Sequence, residues 1–137
     1  MRPFHPPPPP VAMTPSRPHW STITVAGREC ELYAPPDPSP GRAVIFLHDL
    51  RGERLADAAA VREPLEAARL PVIAPRSGRS WWLDRPMPGF DAACTAERHV
   101  VDAVRAEIES RWGVGPPGIA ILVTGMGGQG ALRLAYR

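Results

Sequence analysis

Lysine is absent from this 137-residue chain, and so is asparagine. Arginine therefore carries all 16 basic charges, set against 14 acids for a formal net charge of +2, a bias typical of GC-rich coding. The arginines run from Arg2 to Arg137, interleaved with acids. A nucleic-acid footprint would gather them on one segment or face, so none is expected. Cysteine is scarce as well. Cys30 and Cys94 are too few for a disulfide framework. Cys30 sits in a strand pattern as a small buried hydrophobe, and Cys94, at a loop-to-helix junction, has no base beside it to make it a nucleophile. Long apolar runs are missing. None could span a bilayer, and the N-terminus lacks the apolar core of a secretory signal, so no membrane partner is expected and the cytoplasm is the default location.

Proline, by contrast, is abundant, with 19 residues unevenly placed. Met1 to Pro18 is dominated by it, with an unbroken run from Pro6 to Pro10. Such a stretch cannot bury apolar surface and is expected as an extended or disordered tail over residues 1–18. Residues 19–137 have the composition of one small folded domain.

The domain reads as alternating short strands and helices. His19–Val25 and Arg28–Tyr33 alternate in polarity and meet at Ala26-Gly27, a hairpin signal. Pro35–Gly41 is a turn. Ala43–Leu47 (AVIFL) is apolar throughout, as in a strand buried on both faces, and His48–Gly52 follows as a loop. Leu55–Leu70 has helical spacing, with Pro64 expected to kink or restart it. Pro71–Ala74 is another buried strand, entering a long irregular stretch, Pro75–Cys94, that contains Trp81 and Trp82. Those tryptophans are expected either to line a pocket or to pack the loop onto the sheet. Thr95 can N-cap a helix whose apolar stripe is Val100, Val101, Val104, Ile108 and Trp112, ending at Gly113. Ile119–Thr124 is a final strand, Gly125–Gly130 a glycine turn, and Ala131–Tyr136 the start of a helix. The fold class is α/β, with a mostly parallel sheet and an N-terminal hairpin. Any site belongs to the loops at the carboxyl ends of the strands.

The glycine turn admits three readings. Gly125, Gly127 and Gly130 match a dinucleotide fingerprint, but no following strand or ribose-binding acid accompanies them. Gly125 to Gly130 has phosphate-loop spacing, but Ala131 and Leu132 stand where Lys and a hydroxyl are needed. A non-catalytic anion- or nucleotide-binding module using Gly125–Gly130 at a helix start is the surviving form of these two. The third reading is a nucleophile elbow, the sharp strand-to-helix turn that presents a catalytic serine.

The third reading rests on a resemblance. Met126-Gly127-Gly128-Gln129-Gly130-Ala131-Leu132 resembles the segment after the nucleophile in the α/β-hydrolase esterase group that includes S-formylglutathione hydrolases, where the order is Gly-x-Ser-Met-Gly-Gly-x-Gly-Ala-Leu. His48–Gly52 after AVIFL resembles the group's His-Gly oxyanion loop. The resemblance covers roughly Trp20 to Arg137. It implies a partial α/β-hydrolase fold lacking the C-terminal strands, and an ancestral hydrolysis of a small acyl ester or thioester without metal or cofactor. It also implies an oxyanion hole from the backbone N–H groups of Met126 and Leu50, with His48 in the oxyanion loop.

The departures decide the expected function. Gly125 occupies the nucleophile position, so the serine is missing, and Asp49 stands where the oxyanion loop usually has glycine. The group's Asp and His would follow the elbow, past Arg137. The expectation is an inactive hydrolase relative. Thr124, one residue early, and Ser77 and Ser80, in a loop without an elbow, are poor substitutes. Glycine at 125 should relax the strain of an elbow. The Ile119–Thr124 strand should have an unpaired outer edge that favours self-association. The hydrolase reading also carries two conditions: a corner at a sheet edge, or one far from the His48 loop, would require the hydrolase ancestry to be abandoned.

Overall fold

A computed structural model describes residues 17–78, 80, 82–87 and 94–135. Arg79, Trp81 and nearly all of the proline-rich tail lie outside the described residues. Two positive backbone angles set the first element pair: Ala26 has φ 47° and Gly27 φ 78°. Two successive left-handed residues give a turn whose twist matches that of the flanking strands. Strands β1 (Trp20–Val25) and β2 (Arg28–Tyr33) therefore pair antiparallel, with Val25 opposite Arg28 and Trp20 opposite Tyr33.

Three apolar strands follow: β3 (Ala43–Leu47), β4 (Val72–Pro75) and β5 (Ile119–Val123). The sheet order is β1-β2-β4-β3-β5. β3 runs parallel to both β4 and β5, while β2 is antiparallel to β4 and to β1. Only β2 therefore runs against the other four strands, so the sheet is mostly parallel, as expected. Every residue of β3 and β4 is buried, consistent with cover on both faces.

Alternation along the strands sends side chains into two cores. On one face, α1 (Ala59–Ala67) brings Leu65 against Val44, Phe46 and Val72, joined by Trp20 stacked on Tyr33. On the other, Cys30, Ile45, Leu47 and Ile73 meet Val100, Val104 and Ile108. These three come from a helical rod made of α2 (Ala96–Arg98), a π-helical segment (His99–Val104) and α3 (Arg105–Trp112). Thr95 caps the rod, its hydroxyl accepting from the Arg98 N–H at 3.1 Å. Gly113 ends it in the left-handed conformation. Burial in this core pushes the Cys30 thiol up to about 12, as suits an inert packing residue.

Two elements differ from the sequence reading. The Leu55–Leu70 helix is split into a 3₁₀ turn (Leu55–Asp57) and α1. The break falls at Ala58, whose ψ of 78° is not helical, and not at Pro64, which lies inside α1. The 3₁₀ turn is held from outside: buried Glu31 on β2 accepts from the Leu55 and Ala56 N–H groups at 2.9 and 3.2 Å. A tertiary carboxylate thus decides where that turn starts. Second, the glycine run is not a turn. The last helix, α4 (Met126–Ala135), begins directly after Gly125 and takes in Gly127, Gly128 and Gly130. Among the described residues, no helix is long and apolar enough to cross a membrane.

The winding of the chain positions the site. From β3 it crosses by α1 to β4, then returns by the rod across β3 to β5 on the far side. The strand order reverses between β3 and β5, and in open α/β sheets the crevice for ligands opens at such a reversal. The loops that meet there are His48–Gly52 and the corner at Gly125.

Candidate active site

The corner is built by a single residue. Gly125 has φ +49°, a conformation that costs other residues of order 1–2 kcal/mol. It turns β5 into α4 in one step. Close approach explains the glycines behind it. A Cβ on Gly127 would overlap the Leu47 carbonyl at the end of β3, and one on Gly130 would lie 2.5 Å from the Trp82 Cβ. Gly125 itself faces the loop after β3: a Cβ there would lie 2.9 Å from the Asp49 Cβ and 4.0 Å from its Cγ. Glycine lets the corner take this left-handed backbone without the strain another residue would carry.

The His48 loop is knitted by hydrogen bonds. His48 is 3% exposed. Its Nδ1 lies 2.7 Å from the Asp49 carbonyl, and its Nε2 accepts from the Ser77 N–H at 3.0 Å. This pattern requires a neutral ring carrying its proton on Nδ1. Burial lowers the His48 pKa; the bond to the Asp49 carbonyl opposes that, and the Arg76 cation adds to it. Trp82 donates from Nε1 to the His48 carbonyl at 3.2 Å and packs edge-on against the imidazole. Ser80 donates to the Ser77 hydroxyl at 2.8 Å and accepts from the Trp82 N–H. With both ring nitrogens engaged and the ring buried, His48 is a structural anchor between the loops after β3 and β4.

Asp49 is held just as closely. Its carbonyl accepts from the Gly52 N–H at 3.1 Å, and its carboxylate accepts from the Arg51 N–H at 2.9 Å. Arg76 donates to the Gly52 and Glu53 carbonyls, tying the loop to the residue after β4. Leu50 is 43% exposed at the loop's tip, and Met126 is buried at the first position of α4. Thr124 is half-buried with its N–H on the Leu47 carbonyl at 3.3 Å. Ser77 and Ser80 are buried behind His48. The structure therefore sets Gly125, just before Met126, against Asp49 in the His48 loop, with Trp82 packed between His48 and Gly130.

Sequence reasoning missed the roles of Arg76, Ser77 and Ser80. Their partners are backbone groups of a distant loop, and spacing along the chain carries no signal for that.

A separate apolar groove of about 790 Å³ runs beside β5, between the rod and α4, lined by Ile119, Ile121, Val100, Val101, Leu132 and Leu134 among others. None of His48, Asp49, Leu50, Gly125 or Met126 lines it.

No family model and no curated protein sequence matches the chain. Solved structures do. An S-formylglutathione hydrolase from Agrobacterium tumefaciens superposes with a TM-score of 0.64 at 17% identity, over 85% of this chain and 50% of the hydrolase. An esterase/lipase from an uncultured bacterium gives 0.56 at 20% identity, over 84% and 37%. A thermostable carboxylesterase cloned from a metagenomic library gives 0.56 at 19% identity, over 85% and 40%. The fold is that of the α/β-hydrolases, and the chain spans about half the length of the hydrolase named first. Of the two conditions on this reading, proximity is met, since Gly125 abuts Asp49. The edge condition is not: β5 is the outermost of the five described strands. That position counts against the hydrolase ancestry, while the fold itself rests on the likeness to the solved structures.

Proposed function

We propose that this chain is a hydrolase-fold domain with a vacated acyl-transfer centre. Hydrolysis of a carboxylic ester or thioester by a serine nucleophile is the ancestral chemistry, and this chain does not perform it. The observation that carries the reading is Gly125: its φ of +49° retains the corner that presents a nucleophile, while its side chain supplies none. His48 cannot stand in as a general base, because its Nε2 lone pair is taken by the Ser77 N–H. Asp49 beside the corner would repel the oxyanion that acyl transfer develops, reversing the electrostatics of an oxyanion hole. Without the nucleophile, residual acceleration by hole and binding would be at best about 10³–10⁴-fold over water.

The test is direct. The protein is incubated with a p-nitrophenyl ester, a thioester and a fluorophosphonate probe. Expected are a rate linear in substrate concentration and no covalent adduct by mass spectrometry. Saturable turnover with stoichiometric labelling would sink the proposal. The rival, an anion-binding turn, finds less support. Its glycines are engaged in packing against Leu47 and Trp82, and an acid faces the corner. Tight, Mg²⁺-dependent binding of a nucleotide in a titration would favour it.

A further inference from the structure

We infer that Asp49 is a built-in plug, its side chain filling the space that a nucleophile at position 125 needs, so that a serine at 125 and an acid at 49 exclude one another. The inference rests on the reading of Gly125 as the vacated nucleophile position, and adds a cause that keeps it vacant.

The geometry is tight from both sides. A Cβ at 125 would meet the Asp49 Cβ at 2.9 Å and its Cα at 3.8 Å. Carbon atoms in van der Waals contact sit at about 3.5–4.0 Å, so one side must retreat. Asp49 is poorly placed to do so. The His48 ring and the Gly52 N–H both hold its carbonyl, and the Arg51 N–H holds its carboxylate. The loop beyond it is tied down by Arg76, and the residue before it by Ser77. The corner is equally fixed. Thr124 is bonded to the Leu47 carbonyl, and Gly127 packs against that same carbonyl with no room for a methyl group. Moving Asp49 breaks hydrogen bonds, and moving Gly125 drives α4 off β3.

The charge works in the same direction. The side chain of Asp49 lies beside the start of α4, a ten-residue helix, and a helix N-terminus favours a negative charge. In an active elbow the substrate oxyanion would receive that field. Here an internal carboxylate sits beside it. A side chain at 125 and the Asp49 side chain then cannot both occupy the corner as it stands. Either reversal alone leaves the crevice unfit. Gly125→Ser with Asp49 in place clashes, and Asp49→Gly with Gly125 in place opens the space but supplies no nucleophile.

The experiment is a double-mutant cycle on the full chain, Gly125→Ser and Asp49→Gly, alone and together, read by urea denaturation. Gly125→Ser alone is expected to lower the folding equilibrium constant substantially. In the Asp49→Gly background the same change should cost at least tenfold less, which corresponds to about 1.4 kcal/mol of coupling. Gly125→Ser that folds only with Asp49→Gly would be the strongest form of that result. A second readout uses Gly125→Cys, with iodoacetamide labelling followed peptide by peptide. Alkylation at 125 should be at least tenfold faster in the Asp49→Gly background. Additive costs with equal alkylation rates would overturn the plug. So would a serine variant that fails to fold with either residue at 49, because the cost would then lie in the backbone angle alone. Ester turnover by the unaltered chain would remove the vacated-centre reading and leave this coupling measurable. Additivity here would remove the plug and leave the inactivity intact.

Discussion

The loop after β3 is held on its two sides by opposite means. Toward β4 it is held by side chains: His48, Ser77, Ser80 and Trp82 form a buried hydrogen-bonded cluster, and half-buried Arg76 ties the Gly52 and Glu53 carbonyls beside it. Toward β5 it is held by the lack of them: Gly125 and Gly127 let a second backbone come within contact distance of Asp49 and Leu47. The first arrangement depends on polar groups that must all stay paired. The second tolerates almost no added atom. On the proposed reading the β5 side would be the reactive one, and the departures at Gly125 and Asp49 fall there, while the β4 side is a hydrogen-bonded support. The two sides of the loop can therefore change independently, because different interactions maintain them.

Substitutions should separate the two sides in order of effect. Gly127→Ala should be the most damaging, at about 3 kcal/mol or more, because the new methyl group meets backbone that cannot rotate away. Denaturant midpoints would show it, and a loss under about 1 kcal/mol would mean that α4 is free to shift from β3. On the other side, His48→Ala should cost about 2–3 kcal/mol, leaving the buried Ser77 N–H without its acceptor. His48→Gln should recover part of that loss.

Smaller again is the effect of pH, which should act on the β4 side alone. Burial lowers the His48 pKa in the folded protein below its usual 6.5. Below that value the unfolded chain takes up a proton that the folded chain resists. The contribution of neutral His48 is therefore fully present above about pH 6.5 and declines as the pH falls toward the folded pKa, with a slope of at most about 1.4 kcal/mol per pH unit. The difference in stability between the native chain and His48→Gln, measured from about pH 7.5 to 5, should shrink on acidification. A constant difference would mean that the ring is not held neutral.

The least effect on folding, and the clearest on association, is expected at the sheet's two edges. The β1 edge exposes Ser21, Thr22 and Thr24, whereas β5 is Ile-Ala-Ile-Leu-Val with only Ala120 exposed. Among the described residues no strand covers the outer side of β5, and Leu132 beside it is 67% exposed. Unguarded apolar edges invite pairing. Ala120→Lys should lower self-association in light scattering, Thr22→Lys should leave it unchanged, and both should alter stability by no more than about 0.5 kcal/mol. Equal behaviour of the two variants would show that the β5 edge is not the sticky one.

Much of the fold was legible because it is written in local patterns. The Ala26-Gly27 hairpin, the apolar runs of β3 and β5, the Thr95 cap and the Gly113 stop each depend on neighbours a few residues away. The errors fall where a distant group intervened. Leu55–Leu70 has one continuous helical stripe, yet Glu31 on β2 takes the Leu55 and Ala56 N–H groups and the helix restarts after Ala58. Gly125–Gly130 looks like a loop from its glycine content, because glycine weakens an isolated helix by about 1 kcal/mol per residue. In the folded chain that penalty is outweighed by packing against β3 and Trp82 that no larger residue would allow.

The amino-acid order by itself determined that strands alternate with helices, that a sharp corner follows the last strand, and that the corner carries no hydroxyl. Each of these follows from period, propensity and residue identity, which act over one or two turns of chain. Only the tertiary structure decided that His48 is an anchor with both ring nitrogens engaged, that Glu31 starts a helical turn, and that Asp49 stands against Gly125. Those contacts join segments far apart in the chain, and no local pattern encodes which side chain will fill a space that two separate loops enclose.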